Sequence, residues 1–326
     1  MGARARAVWG AGLIALLTLA ACDTAPPVTA PPPVADSDLP PPPLPDPPQP
    51  QLSEASQALA LYYARLQGDL LAQGLLRGDT SPDDAPFTDT MLARNFVNIA
   101  LYDEYVDRFG TIVAETRISR LRRWEQPVRM ATIFGPTVPA AQVTRDRASV
   151  AAYAARLSQV TGHPMSQVAP ESANFHVLFL NEDDRRAIEP DLRRLAPGIA
   201  ESTVRAVINM PRSTYCLAIG FSEGDSPIYS RAIIIIRGEH PDLMRLACIH
   251  EEIAQGMGLV NDSPAARPTI FNDNEEFGLL TRHDELLLKI LYDSRLRAGM
   301  TPAEAAPIVR QIATELLAAP TLAQGT

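Results

Sequence analysis

The sequence predicts an α+β protein, and three observations carry that prediction. Apolar residues recur at helical spacing over residues 53–76 and 88–108. Beyond Gly110, short alternating or continuous apolar runs take turns with amphipathic stretches, the pattern of strands interleaved with helices. After residue 240 the pattern is helical again to about residue 318. The chain has 326 residues, 46% of them hydrophobic, and a formal net charge of −9. An acidic chain with no basic run does not suit nucleic acid or anionic headgroups as partners.

Residues 1–21 read as an export signal. Arg4 and Arg6 precede an apolar run from Ala11 to Ala20, and Leu19-Ala20-Ala21-Cys22 closes it with small residues before a cysteine. This closing sequence resembles the lipobox of bacterial lipoproteins. The resemblance implies cleavage before Cys22, acylation (palmitate) of that residue, and a protein held by lipid at a membrane of the bacterial cell envelope, facing the periplasm. Loss of Arg4 and Arg6 with the signal takes the formal charge from −9 to −11. Residues 22–50 then form a tether. From Asp23 to Pro50, 13 of 28 residues are proline, with no aromatic residue to build a core. Extended polyproline II at about 3.1 Å per residue would let this stretch reach roughly 85 Å.

Residues 51–110 are expected to be a helical segment. Leu59, Tyr62, Tyr63, Leu66 and Leu70 line one stripe, and Met91, Leu92, Phe96, Ile99 and Tyr102 line another, with a Pro- and Asp-containing loop between. Residues 111–320 follow as the main domain and 321–326 as a tail. Strands are expected at 124–134, 174–180, 215–221 and 230–237, the last two joined by a Gly-Asp-Ser-Pro turn. Ile233 to Ile236 is an apolar run suited to a buried strand. Helices are expected at 146–160, ending at Gly162, and at 182–195. A further helix opens at Pro241 and ends near Gly258 in a left-handed cap. Residues 284–292 begin the last helical region, and Thr301-Pro302-Ala303-Glu304 is laid out as a capping box.

The helix after Pro241 carries the most informative stretch, E-E-I-A-Q-G-M-G-L-V-N-D-S at 251–263. In a zinc protease helix of the H-E-x-x-H-x-x-G-x-x-H kind, two His at i and i+4 share a face, a Glu between them is the base, and a Gly turns the chain toward a third His. Glu251, Glu252, Gln255, Gly258 and Asn261 hold those places here. The base position and the Gly remain, while the three ligand positions are Glu251, Gln255 and Asn261. Zinc favours nitrogen and sulfur donors, so a three-imidazole zinc is not expected and no other cofactor is demanded. Oxygen donors from these residues and the neighbouring Asp262 would suit calcium, magnesium or manganese better. A frame starting at His250 puts Ala254 at the second ligand, and a methyl group binds no metal.

The succession of elements over about 120–320, with 251–263 and P-T-I-F-N-D at 268–273, resembles the catalytic domain of metzincin-type zinc proteases. That resemblance implies a zincin-like fold, a mixed twisted sheet with an active-site-type helix and C-terminal helices. Ile270 or Phe271 would stand where the family has its turn methionine. The whole chain, from lipobox and Pro-rich tether to L-Y-D-S-R-L-R-A-G-M at 291–300, also looks like a family of uncharacterised alphaproteobacterial envelope lipoproteins with a domain of unknown function. That family carries E-E-x-x-Q-x-x-G-L as well, which implies that the replaced ligands are its normal state.

Three functions are open to such a site: a domain without catalysis that binds an envelope protein or ligand, or serves as a scaffold; a hydrolase using an oxygen-ligated metal; and a structural metal or small-ligand site. Glu252 is the one candidate base. Glu251 and Glu252 are adjacent on a helix and leave it about 100° apart, so they do not form a ready-made facing pair. Once Cys22 is acylated, Cys216 and Cys248 remain as a candidate disulfide, and two buried thiols fit the sequence equally. His163, His176, His240 and His283 stand at no ligand spacing, and no G-x-S-x-G, phosphate loop or C-x-x-C is present.

Overall fold

A computed structural model describes residues 51–108, 111–272 and 274–318. The expected signal, Cys22, the tether and the 321–326 tail lie outside the described residues. α1 (Glu54–Ala72) and α2 (Asp89–Ala100) lead into a hairpin of β1 (Tyr102–Arg108) and β2 (Thr111–Ile118). Then follow β3 (Val128–Phe134), α3 (Ala140–Thr161), β4 (Met165–Gln167) and β5 (Phe175–Leu180). Three short helices come next: α4 (Glu182–Arg186), α5 (Glu189–Leu195) and α6 (Glu201–Ile208). β6 (Cys216–Ser222) and β7 (Tyr229–Arg237) complete the sheet, and α7 (Asp242–Met257), α8 (Arg282–Leu291) and α9 (Pro302–Ala318) close the chain.

The main sheet has five strands in the order β4-β3-β5-β7-β6. β3 runs parallel to β4 and β5, β5 runs parallel to β7, and β6 alone is antiparallel, at the edge. Period-two alternation distributes the central strands between two cores. Val177, Phe179, Ile234 and Ile236 face the larger core with α2, α3, α7, α8 and α9, while Leu178, Leu180, Ile233 and Ile235 face a smaller one with α5 and α6. Ile233 to Ile236 are fully buried, as a strand covered on both faces requires.

Several elements differ from the expectation. The helix expected over 88–108 stops at Ala100, because residues 102–108 pair antiparallel with 111–118 and gain a ladder that local periodicity cannot reveal. The helix expected at 182–195 is two helices, with Pro190 in the first turn of the second. Its ring removes a backbone donor that a continuous helix would need. The expected strand at 124–134 begins at Val128, after Pro127, and the structure adds α6 and β4, which local patterning does not predict. Gly258 is not a left-handed cap. Its φ is +126°, and a Cβ there would collide with the Arg122 backbone oxygen. Gly162, at φ +67°, does end α3 in the left-handed conformation. Thr301 and Glu304 exchange the reciprocal hydrogen bonds of a capping box.

α1 belongs to the same unit as the sheet and packs its Tyr63 and Leu70 against Leu76 and against Met244 of α7. Ser56 Oγ donates to Glu239 Oε1 at 2.9 Å, and Tyr63 donates its hydroxyl proton to the Arg212 carbonyl. Burial raises the Glu239 carboxyl above its ordinary range.

Candidate functional site

α7 crosses beneath the edge of the sheet, and two features fix it there. Gly256 brings the helix against β5, where a Cβ would meet the Phe175 ring, and the Trp124 indole donates to the Gly256 carbonyl at 2.8 Å. A disulfide joins Cys216, the first residue of β6, to Cys248 on α7. The covalent link ties one wall of a cleft to its floor.

This cleft has a volume of ≈ 360 Å³. Tyr215 to Ala218 form one side, and Glu251, Glu252, Gln255, Asp262 and Glu275 supply its polar groups. Glu251 and Gln255 lie at i and i+4 on one face of α7 and are half-buried, while Glu252 is 5% exposed. The two glutamates leave the helix in different directions, yet their carboxylate oxygens and Cys216 Sγ all lie within 4.8 Å of one another. Among the described residues the charged side chains that line this cleft are carboxylates.

Asn261 is elsewhere. Its backbone N–H donates to the Ile99 carbonyl at 3.0 Å and its side-chain amide to the Asn98 carbonyl at 2.8 Å. These are carbonyls of the last turn of α2, which have no partner within their own helix. The chain leaving Gly258 therefore spends its third ligand position on closing α2 and turns Asp262 toward the cleft.

His250 faces the opposite side of α7. Its Nδ1 accepts from the Leu280 backbone N–H at 3.0 Å, and its ring stacks on Tyr153 with centroids 4.2 Å apart. Burial, with the Arg156 charge adding to it, pushes its pKa down to about 3, so it is a neutral acceptor in the core. His240 lies against Tyr63 and Cys248 and is likewise pushed down to about 3, chiefly by burial. Ile270 and Phe271 are both buried in the larger core, and the turn they occupy is held by Asp284. Its carboxylate accepts from Thr269 Oγ1, from the Ile270 N–H and from Thr281.

The zinc that a metzincin resemblance implies does not fit these residues. Glu251 and Gln255 offer oxygen donors, Asn261 is engaged with α2, and Cys216 sulfur is bound in the disulfide, so the nitrogen and thiolate donors that zinc prefers are not offered.

A second, larger lobe of ≈ 910 Å³ continues along β6. It shares Leu217, Ala218, Gly220, Tyr229 and Val260 with the acidic cleft and is lined as well by Arg117, Arg120 and Arg122. Arg122 is paired with Asp103 at 2.6 Å. Tyr229, between the lobes, is pushed up to about 12 by burial. Sequence reasoning missed Tyr215, Tyr229, Glu275 and these arginines, since long-range packing alone brings them to the cleft.

Residues 89–311 match the family described as protein of unknown function (DUF2927). The chain belongs to the DUF2927 family. The match contains the whole sheet, α7 and both lobes, and begins after α1, which is an addition to the N-terminal side of the family domain. No curated protein and no solved structure is detectably similar to the chain. Among the described residues, no helix is long and apolar enough to cross a membrane.

Proposed function

We propose that this DUF2927 protein is an exported, lipid-anchored binding or scaffold module of the bacterial cell envelope, carried on a zincin-like domain whose zinc ligands have been replaced. The cleft floor is the observation that carries the reading. Glu251 and Gln255 stand where two imidazoles would share a helical face, and Asn261 is committed to α2. The succession β3, α3, β5, α4 and α5, β6 and β7, α7, a turn, then α8 and α9 supports the fold assignment, since it follows the order that the metzincin resemblance implies. The anchor rests on the sequence: a basic start, an apolar run, the lipobox at Cys22 and the Pro-rich tether, which together make lipid the membrane contact and leave the domain on the periplasmic side.

Use of the cleft by an oxygen-ligated metal, in a hydrolase or a metal-binding protein, is the second reading. Convergence of the Glu251 and Glu252 carboxylates favours it, but the third donor of that cluster is the Cys216 sulfur, which the disulfide has consumed. Two assays test the proposal. Cys22→Ala should move the protein from the membrane to the soluble fraction. Wild type and Glu252→Gln should both leave casein intact, with or without added zinc, calcium or manganese; hydrolysis by wild type that the variant loses would restore the hydrolase.

A further inference from the structure

α1 lies across the ends of β5 and β7, where Glu182 and Glu239 follow the last strand residues Leu180 and Arg237. Three residues that share a face at helical spacing seat it by hydrogen bonds. Ser56 Oγ donates to Glu239 Oε1 at 2.9 Å, the Tyr63 hydroxyl donates to the Arg212 carbonyl at 2.9 Å, and Gln67 Oε1 accepts from the Met244 N–H at 3.1 Å. The apolar share of the contact is small. Of the 19 residues of α1, only Ser56, Tyr63 and Leu70 are buried, and the two apolar ones belong to a cluster apart from both cores of the sheet. The seat itself is charged. Glu182 accepts from Arg185 and Arg237 at 2.7 and 3.1 Å, and Glu239, 6% exposed, accepts from the Glu182 backbone N–H as well as from Ser56. Glu239 Oε2 and His240 Nε2 are buried with no hydrogen-bond partner among the described residues. A buried polar atom without a partner opposes the contact that buries it, and it regains water when that contact opens.

The same face of α1 reaches the cleft. The Tyr63 ring packs edge-on against the His240 and Tyr215 rings, with centroids 4.4 and 6.2 Å away. His240 Nδ1 is 3.7 Å from Cys248 Sγ, and Tyr215 and Cys216 stand in the cleft wall that the disulfide ties to α7. At its other end α1 follows the Pro-rich stretch in sequence, and it precedes residues 89–311, which contain the sheet and both lobes. We propose that α1 is a releasable strap: it lifts from the strand ends as a unit while the sheet stays folded, and its release loosens the Tyr215–Cys216 wall of the cleft. The inference rests on the cleft being the binding site of the proposed module, and it names how access to that site is controlled. A pull along the N-terminal stretch acts first on the bond from Ser56 to Glu239, and Tyr63 follows two turns later.

Hydrogen–deuterium exchange followed by mass spectrometry, on the full chain in detergent micelles, tests this. Residues 54–72 should exchange together, about 100-fold faster than β5 and β7, whose amides open only with the whole domain. Ser56→Ala and Tyr63→Phe each remove one seating bond, and each should speed exchange of 54–72 by about fivefold while β5 and β7 keep their rates. Residues 214–218 should speed up with α1 in both variants, which simple fraying of a helix would not cause. Protection of 54–72 equal to that of β5 in the wild-type chain would overturn the strap, and this comparison needs no variant to fold. A variant that speeds α1 and leaves 214–218 untouched would overturn the link to the cleft. The casein assay separates the two levels: hydrolysis refutes the non-catalytic reading and leaves the strap standing, whereas uniform protection refutes the strap alone.

Discussion

The Asn261 side-chain amide donates to the Asn98 carbonyl at 2.8 Å, while the Asn261 backbone N–H takes the neighbouring Ile99 carbonyl at 3.0 Å. One residue thus closes the C-terminal turn of α2 and leaves the cleft to its neighbour, Asp262.

Asn261→Ala should therefore act on stability and not on ligand binding. Asn261 is 3% exposed, and losing its bond to the carbonyl of the half-buried Asn98 should cost about 1 kcal/mol. Urea denaturation measures the loss. An unchanged midpoint together with altered occupancy of the cleft would mean that Asn261 belongs to the site after all.

The disulfide between Cys216 and Cys248 joins residues 32 apart in sequence. Constraint of the unfolded chain by a loop of this length contributes about 3–4 kcal/mol in the chain-entropy view. The double variant Cys216→Ala, Cys248→Ala should lose stability of that order in guanidinium denaturation. It should also exchange the amide protons of β6 faster than those of β5, since β6 is the edge strand and the one tied to α7. Uniform exchange across the sheet would count against the disulfide as the clamp of the cleft.

His250 predicts a pH dependence. Its folded pKa is pushed down to about 3, below the ordinary value of 6.5, so the unfolded chain binds its proton first as pH falls. Stability is full above about pH 6.5 and declines as pH falls toward 3, approaching a slope of ~1.4 kcal/mol per pH unit for one such group. His240 adds a second group with the same sign. Denaturation midpoints between pH 5 and pH 7 should therefore fall with pH, and His250→Gln should flatten the slope. A slope that the substitution leaves untouched would show that His250 is protonated in the folded protein.

Much of the fold was legible in local patterns. Ile233 to Ile236 announce a doubly covered strand, the Thr301 to Glu304 layout announces a helix start, and helical spacing places Glu251 and Gln255 on one face of α7. What was not legible depends on distant partners. The hairpin from Tyr102 to Ile118 is made by pairing between its two strands, and the register Met91 to Tyr102 reads as helix until that pairing is known. The exchange of Asn261 for Asp262 depends on where α2 ends relative to the turn after Gly258. Glu251 and Glu252 diverge by helical geometry and are brought together only by side-chain conformation, while Glu275 and the arginine lobe arrive from separate parts of the chain.

Elemental analysis by mass spectrometry tests the central claim most directly. The full chain, purified without a metal-affinity tag, is measured before and after chelation. The oxygen donors of Glu251 and Gln255, with Asn261 turned away and Cys216 in the disulfide, predict no zinc above trace level and no change in thermal stability on chelation. Zinc approaching one atom per chain, removed by the chelator with a fall in melting temperature, would contradict the account.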